Sequence, residues 1–139
     1  MSDLTFTARA FQGKYVGDGR WIDITGEAKQ YRITQEVIVD ANSLRVEYKH
    51  VFFEEGTTVE GEFIFEFVSN SIFSTTLKGS VVGNGYVFGN YLHFNIRAGD
   101  IFVETSYQLL DQRIHTRGSS TSNAQGRFIA WSETLSPAP

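Results

Sequence analysis

The stretch from Tyr48 to Phe67, YKHVFFEEGTTVEGEFIFEF, constrains the fold more than any other part of the chain. Apolar and polar side chains alternate on either side of Glu55-Gly56, a dipeptide of the kind that closes a tight turn between antiparallel strands. Pairing Glu54 with Thr57 sets Phe52 against Val59, His50 against Gly61, Tyr48 against Phe63, Val46 against Phe65 and Leu44 against Phe67. The other face then sets Lys49 against Glu62 and Arg45 against Glu66, each a pair of opposite charges. One oily face and one charged face describe a sheet with a core on one side only.

The same grammar runs through the rest of the sequence. Turn-like clusters fall at Thr25-Gly26-Glu27, Asp40-Ala41-Asn42, Glu55-Gly56, Ser69-Asn70, Gly83-Asn84-Gly85, Ala98-Gly99-Asp100, Asp111-Gln112 and Ser122-Asn123. Between them, Tyr31, Ile33, Val37 and Val39 share a face with Gln35. Tyr86, Phe88, Leu92, Phe94 and Ile96 share one with Asn90, and Ile101, Val103, Tyr107 and Leu109 share one with Thr105. No segment carries a 3.6-residue stripe, so helices are not expected. Eight turns separate nine strands, and LTFTARAF near the N-terminus adds a tenth or extends the first. Short loops favour an up-and-down meander, and closing it removes two long edges. The expected fold is all-β, a closed antiparallel barrel of eight to ten strands, with a β-sandwich as the alternative. Residues 1–135 form one domain and residues 136–139 a disordered tail.

Composition narrows the function classes. The net charge of −4 and pI near 5.3 argue against a nucleic-acid surface. No apolar run reaches the roughly 18 residues of a membrane helix, and MSDLTFTARAF lacks a charged-then-apolar signal region. There is no cysteine, hence no disulfide and no thiolate metal site. The expectation is a soluble cytoplasmic protein without membrane insertion.

The segment Gly13-Lys14-Tyr15-Val16-Gly17-Asp18-Gly19 resembles the G-x-W-x-G-x-G strand of the nitrobindin-like barrels, with Tyr15 where that motif has Trp. The run from Tyr107 to Asn123, YQLLDQRIHTRGSSTSN, resembles that family's penultimate hairpin and its Ser/Thr-rich bend. These barrels belong to the calycin superfamily of lipocalins and fatty-acid-binding proteins, and Gly19-Arg20-Trp21 can also be read as the lipocalin G-x-W. The resemblance implies a calycin-like barrel. Nitrobindin-like proteins bind haem through a histidine just after the Ser/Thr-rich bend. Here that stretch reads Ala124-Gln125-Gly126-Arg127-Phe128, without histidine, and no cofactor is expected.

Few residues carry candidate chemistry. His93 alternates with the apolar set of its strand and faces outward, and His115 sits in a basic outer stripe with Arg113 and Arg117. His50 falls on the inward face, and an imidazole there changes charge near neutral pH. No histidines lie at metal-ligand spacing, so no metal is expected. Glu60, Glu62 and Glu66 alternate with Phe63 and Phe65 and read as a solvated, ion-paired face. Gly83-Asn84-Gly85 and Gly17-Asp18-Gly19 open no helix and suit no phosphate cradle. No catalytic residue is assigned.

The inward polar residues are more informative. Gln35, Tyr48, His50, Asn90, Thr105 and Tyr107 interrupt apolar faces, and burying such groups without partners costs about 1–3 kcal/mol each. A cavity accounts for them, because small-molecule sites combine aromatic walls with a few placed polar groups. The leading expectation is a barrel that binds a small hydrophobic or amphipathic molecule. Tyr31, Phe65, Phe88 and Phe94 form its walls, and His50, Asn90 and Tyr107 anchor the ligand with Gln35, Tyr48 and Thr105. Two alternatives remain. One is a small barrel enzyme of isomerase, cyclase or decarboxylase type with His50 or Tyr107 as acid or base. The other is a filled barrel that forms a homodimer through outward Ile64, Val87, Tyr91 and Phe102.

Overall fold

The alternation and the even turns are realised as ten antiparallel strands in the computed structural model, which describes residues 3–139. They are β1 (Gly13–Asp23), β2 (Ala28–Val39), β3 (Ser43–Phe52), β4 (Thr58–Phe67) and β5 (Ile72–Leu77), then β6 (Ser80–Phe88), β7 (Tyr91–Ala98), β8 (Ile101–Leu110), β9 (Arg113–Ser122) and β10 (Arg127–Pro137). Each strand pairs with its neighbour in sequence, and β1 pairs with β10, so the sheet closes as an up-and-down barrel with no free edge. No helix among the described residues is long and apolar enough to cross a membrane.

The count of ten is reached by a different route from the one the sequence suggests. The LTFTARAF segment is not a strand: Thr7–Phe11 is a 3₁₀ turn that buries Ala8 and Phe11, three residues apart and therefore on one face. It plugs one barrel end, tied down by Thr5 N–H to the Ala41 carbonyl and by the Tyr15 hydroxyl, which donates to the Phe11 carbonyl at 2.8 Å. The tenth strand comes from the Gly83-Asn84-Gly85 region, which lies inside β6 rather than at a turn. The turns there are Lys78-Gly79, with φ of 52° and 82°, and Gly89-Asn90, with φ of 55° at Gly89. Two consecutive positive φ values suit a two-residue hairpin of type I′. The second turn changes the parity of β6: Val87 faces inward at 1% exposure and Phe88 faces out at 70%. Val87 is therefore unavailable to the outer interface expected of it, and β10 takes in Ser136 and Pro137 of the expected tail by pairing them with Val16 and Tyr15.

The central hairpin is present with its register moved by two residues. Its loop is Phe53–Gly56 rather than Glu55-Gly56 alone, closed by Phe52 N–H to the Thr57 carbonyl and by Gly56 N–H to the Phe52 carbonyl, both 2.9 Å. Tyr48 consequently faces Gly61, His50 faces Val59, Lys49 faces Glu60, Arg45 faces Ile64 and Glu47 faces Glu62. An even shift preserves the inward and outward sets while replacing every partner. The two expected ion pairs are not made; Arg45 instead meets Glu47 of its own strand at 3.1 Å.

The seam between β1 and β10 requires glycine. A Cβ at Gly17 would overlap the Thr134 carbonyl oxygen and lie 2.9 Å from the Leu135 Cα. Gly17→Ala is expected to cost on the order of 3 kcal/mol, because the obstacle is backbone that has nowhere to retreat. Asp18→Ala, at an exposed neighbour, is expected to stay within about 0.5 kcal/mol. Urea denaturation of both variants checks this, and equal midpoints would show that the seam is tolerant.

Candidate functional site

The barrel interior is divided into a filled end and an open end. Toward the 3₁₀ plug, Phe65, Phe73 and Phe94 are fully buried and packed ring against ring at 4.6–4.7 Å, with Leu44, Leu92, Ile114 and Leu135 around them. Beyond Phe63 and Tyr107 the packing stops, and a cavity of about 550 Å³ extends toward the turns at Ile24–Glu27, Phe53–Thr57 and Asn123–Gly126. Trp21, Phe52, Val103, Arg127 and Ile129 line it nearer the mouth. Its size falls within the range of small-molecule sites. A trough of about 700 Å³ on the outer face of β1–β4 is larger. It is lined by Lys14, Glu36, Glu47, Lys49, Glu60 and Glu62, long charged chains on a solvated face that do not fix a ligand's position.

One wall of the inner cavity is a ladder of rings. Tyr31 stacks on His50 at 4.6 Å between ring centres, His50 meets Tyr48 at 4.9 Å, and Tyr48 meets Phe63 at 5.2 Å. Phe52 continues the ladder outward, 5.1 Å from Tyr31 and 6.5 Å from Trp21. The ladder depends on missing side chains: a Cβ at Gly61 would sit 2.6 Å from the Tyr48 ring, and one at Gly19 would sit 2.5 Å from the Tyr31 ring.

Gly19 lies opposite Tyr31 on one side and Glu133 on the other. The tyrosine can therefore reach across β1, and its hydroxyl donates to Glu133 Oε2 at 2.7 Å. Glu133 is 6% exposed, and His50 Nε2 stands 3.8 Å from the same oxygen. Burial raises the Glu133 carboxyl to about 7, against a partial opposing pull from the Tyr31 hydrogen bond. Burial lowers the His50 imidazole to about 4. It also raises the Tyr31, Tyr48 and Tyr107 hydroxyls, with the charge of Glu133 adding to each.

Six of the ten residues expected from the sequence line this cavity: Tyr31, Gln35, Tyr48, His50, Thr105 and Tyr107. Phe65 and Phe94 lie below its floor in the packed end, both 0% exposed. Phe88 and Asn90 lie outside it. Phe88 projects from the outer face, and Asn90 belongs to the β6–β7 turn, where its amide donates to the Leu109 carbonyl at 3.1 Å. Both misplacements follow from the missed turn at Gly89-Asn90. Glu133, Thr116 and Trp131 are cavity residues without a sequence-based assignment. Their signal was parity: Trp131, Glu133 and Leu135 alternate with Ser132, Thr134 and Ser136, which puts a carboxylate on the apolar face of the last strand. Among the described residues, no group of three or more histidine and acidic side chains is placed to hold a metal ion.

No family model and no curated protein matches the sequence. Solved structures do match. An S-type phycobiliprotein lyase, CPES, from Guillardia theta superposes with a TM-score of 0.77 at 10% identity, covering 100% of this chain and 94% of that one. Rv2717c from M. tuberculosis superposes at 0.76 and 10% identity over 100% and 99%. A protein of unknown function from the DUF3598 family of Nostoc punctiforme gives 0.66 and 11% identity, over 94% of this chain but 48% of that one. At such identity the likeness speaks to fold alone, a closed up-and-down barrel of ten antiparallel strands.

The Glu133–His50 pair has a consequence for stability. From pH about 4.5 to 6.5 the unfolded chain holds one proton on the pair, at His50, and the folded chain also holds one, at Glu133. Equal proton counts make the pair's contribution flat across that window. In Glu133→Gln the remaining His50 binds more protons unfolded than folded, so stability rises with pH from about 4 to 6.5. In His50→Gln the folded state keeps a proton on Glu133 that the unfolded chain has lost, so stability falls from about pH 4.5 to 7. Each slope approaches about 1.4 kcal/mol per pH unit. Urea denaturation between about pH 4 and 8 checks the signs, and slopes of the same sign in the two variants would dissolve the pairing.

Proposed function

We propose that this chain is a binding protein for a small amphipathic molecule held in the open half of the barrel. The observation that carries the reading is the cavity of about 550 Å³ with an aromatic wall and a buried carboxyl, Glu133, near its floor. A packed barrel has no use for such space, whereas a ligand would fill it and meet Gln35 Nε2 and Thr116 Oγ1, which are buried without hydrogen-bond partners among the described residues. One neighbour of the same fold is an S-type phycobiliprotein lyase, which is compatible with a ligand site in a barrel of this shape.

The nitrobindin-like resemblance supports the barrel and not haem ligation. Ala124, Gln125, Gly126, Arg127 and Phe128 offer no iron ligand at the expected stretch, and the cavity's imidazole, His50, faces Glu133 at 3.8 Å. A second reading, acid–base catalysis on a molecule in the same cavity, is favoured by that pair, because a carboxyl held near 7 can give or take a proton at physiological pH.

Native mass spectrometry of freshly purified protein, set against its denatured mass, tests binding directly: an extra mass of small-molecule size supports it. Titration with the neutral probe N-phenyl-1-naphthylamine adds a site-specific check. The wild type is expected to bind it, and Val103→Trp to lose about tenfold or more in affinity by filling the mouth while the β spectrum is kept. Equal binding by the variant would place the probe elsewhere and remove this support.

A further inference from the structure

The ligand-binding reading leaves the ligand's chemistry open, and Glu133 narrows it. The side chain accepts one hydrogen bond among the described residues, from Tyr31, although a carboxylate can accept about four. The groups facing it are Tyr31 from β2, Tyr48 and His50 from β3, Tyr107 from β8 and Thr116 from β9, with Gly19 beside it on β1. None of these carries a positive charge while His50 is neutral. Arg127 shares the inward face of β10 but stands six residues nearer the mouth, about 20 Å along the strand. Among the described residues, Glu133 is thus an acid deep in a cavity without a counter-ion while His50 is neutral.

Its surroundings suit one. The Tyr31 hydroxyl oxygen lies 2.7 Å from the carboxyl and can itself accept from an ammonium N–H placed beside it. Thr116 Oγ1, directly across from Glu133 on β9, is buried and unpartnered among the described residues, and a hydroxyl can accept from an ammonium N–H. A neutral ligand could hydrogen-bond here but would leave the carboxylate's charge unbalanced, and an anionic one would be repelled whenever Glu133 is ionised. We infer that the cavity takes an amphipathic aromatic cation, a protonated amine on a ring system, with its ammonium between Glu133, Thr116 and the Tyr31 hydroxyl. This rests on the ligand-binding reading and names its ligand class. The amine brings its own proton and displaces the one on Glu133, so below the carboxyl's midpoint near 7 each binding event releases a proton to solvent.

Calorimetric titration of the whole chain with 2-naphthylmethylamine, the neutral 2-naphthylmethanol and the anionic 2-naphthoate tests this. At pH 8 the amine is expected to bind about tenfold or more tighter than the alcohol, and naphthoate weakest. The amine's affinity falls about tenfold per pH unit below about 7, with nearly one proton released at pH 6 as read from buffers of different ionisation enthalpy; the alcohol's stays flat. In E133Q the amine loses both its advantage and its pH dependence while the alcohol still binds. Should that variant fail to fold, the wild-type series decides. Equal binding of amine and alcohol, a preference for naphthoate, or an amine preference that survives E133Q overturns the inference and leaves the binding reading standing. If none of the three binds, the binding reading fails and this inference with it.

Discussion

The backbone seam between β1 and β10 is the constraint on which the rest of the molecule depends. Without it the sheet would be an open ribbon of ten strands with two exposed edges, and its inward face would have to find a second layer. With it, every strand has two neighbours and the alternation of side chains becomes a division between lumen and solvent. The seam needs backbones closer than a side chain at Gly17 would permit. The next inward position, Gly19, is also bare, and it is the reason Tyr31 and Glu133 can touch across β1. Closure and the polar centre of the cavity are therefore set by the same short stretch of β1.

A closed barrel of ten strands encloses more volume than its own side chains need to fill, and this chain fills it unevenly. Phenylalanines crowd the plugged end, where Phe65, Phe73 and Phe94 interlock and Phe11 closes the bottom. At the other end, inward positions of β8 and β9 hold Thr105, Thr116, Gly118 and Ser120, residues too small to reach the aromatic ladder on β2 and β3. Gly118 is overlaid by Trp131, whose ring a Cβ there would overlap. One wall is bulky and the other shallow, and the difference between them is the cavity.

How much of this could be read from the sequence follows from what each signal encodes. Period-2 alternation encodes faces, and it placed Tyr31, Tyr48, His50 and Tyr107 inside whatever the register. Pairing is encoded more weakly: a four-residue loop in place of a two-residue turn moved the central hairpin by two residues, and every named cross-strand pair changed while every face survived. Where a turn itself was missed, at Gly89-Asn90, the faces failed too, and Phe88 and Val87 exchanged sides. The Gly83-Asn84-Gly85 run looked like a turn because glycine and asparagine favour one, yet those glycines lie beneath neighbours: a Cβ at Gly85 would run into the Phe73 ring. Composition cannot distinguish a glycine that bends the chain from one that makes room. The contact between Glu133 and Tyr31, 102 residues apart, depends on such a glycine and on barrel closure, so no local window contains it.

Stability alone does not account for Glu133. A carboxyl buried with a single tyrosine donor is held in its neutral form against its ordinary acidity, and the imidazole beside it is held neutral likewise. Leucine at this position, as at Leu135 two residues on, would bury comparable volume without either cost. The bare Gly19 adds a second cost at the same place, since glycine within a strand gives up backbone entropy and packing that most other residues would supply. Two unfavourable choices that meet at one hydrogen bond, on the wall of a cavity, break the consistency that the packed end of the barrel keeps everywhere. Departures of that kind concentrate where a chain does something other than fold. If the cavity takes the cation inferred above, that partner would restore the ionised form of Glu133 that burial suppresses. On the binding reading proposed above, such a site would be unfavourable when empty and complementary when filled, which is the relation expected between a binding centre and the scaffold that carries it.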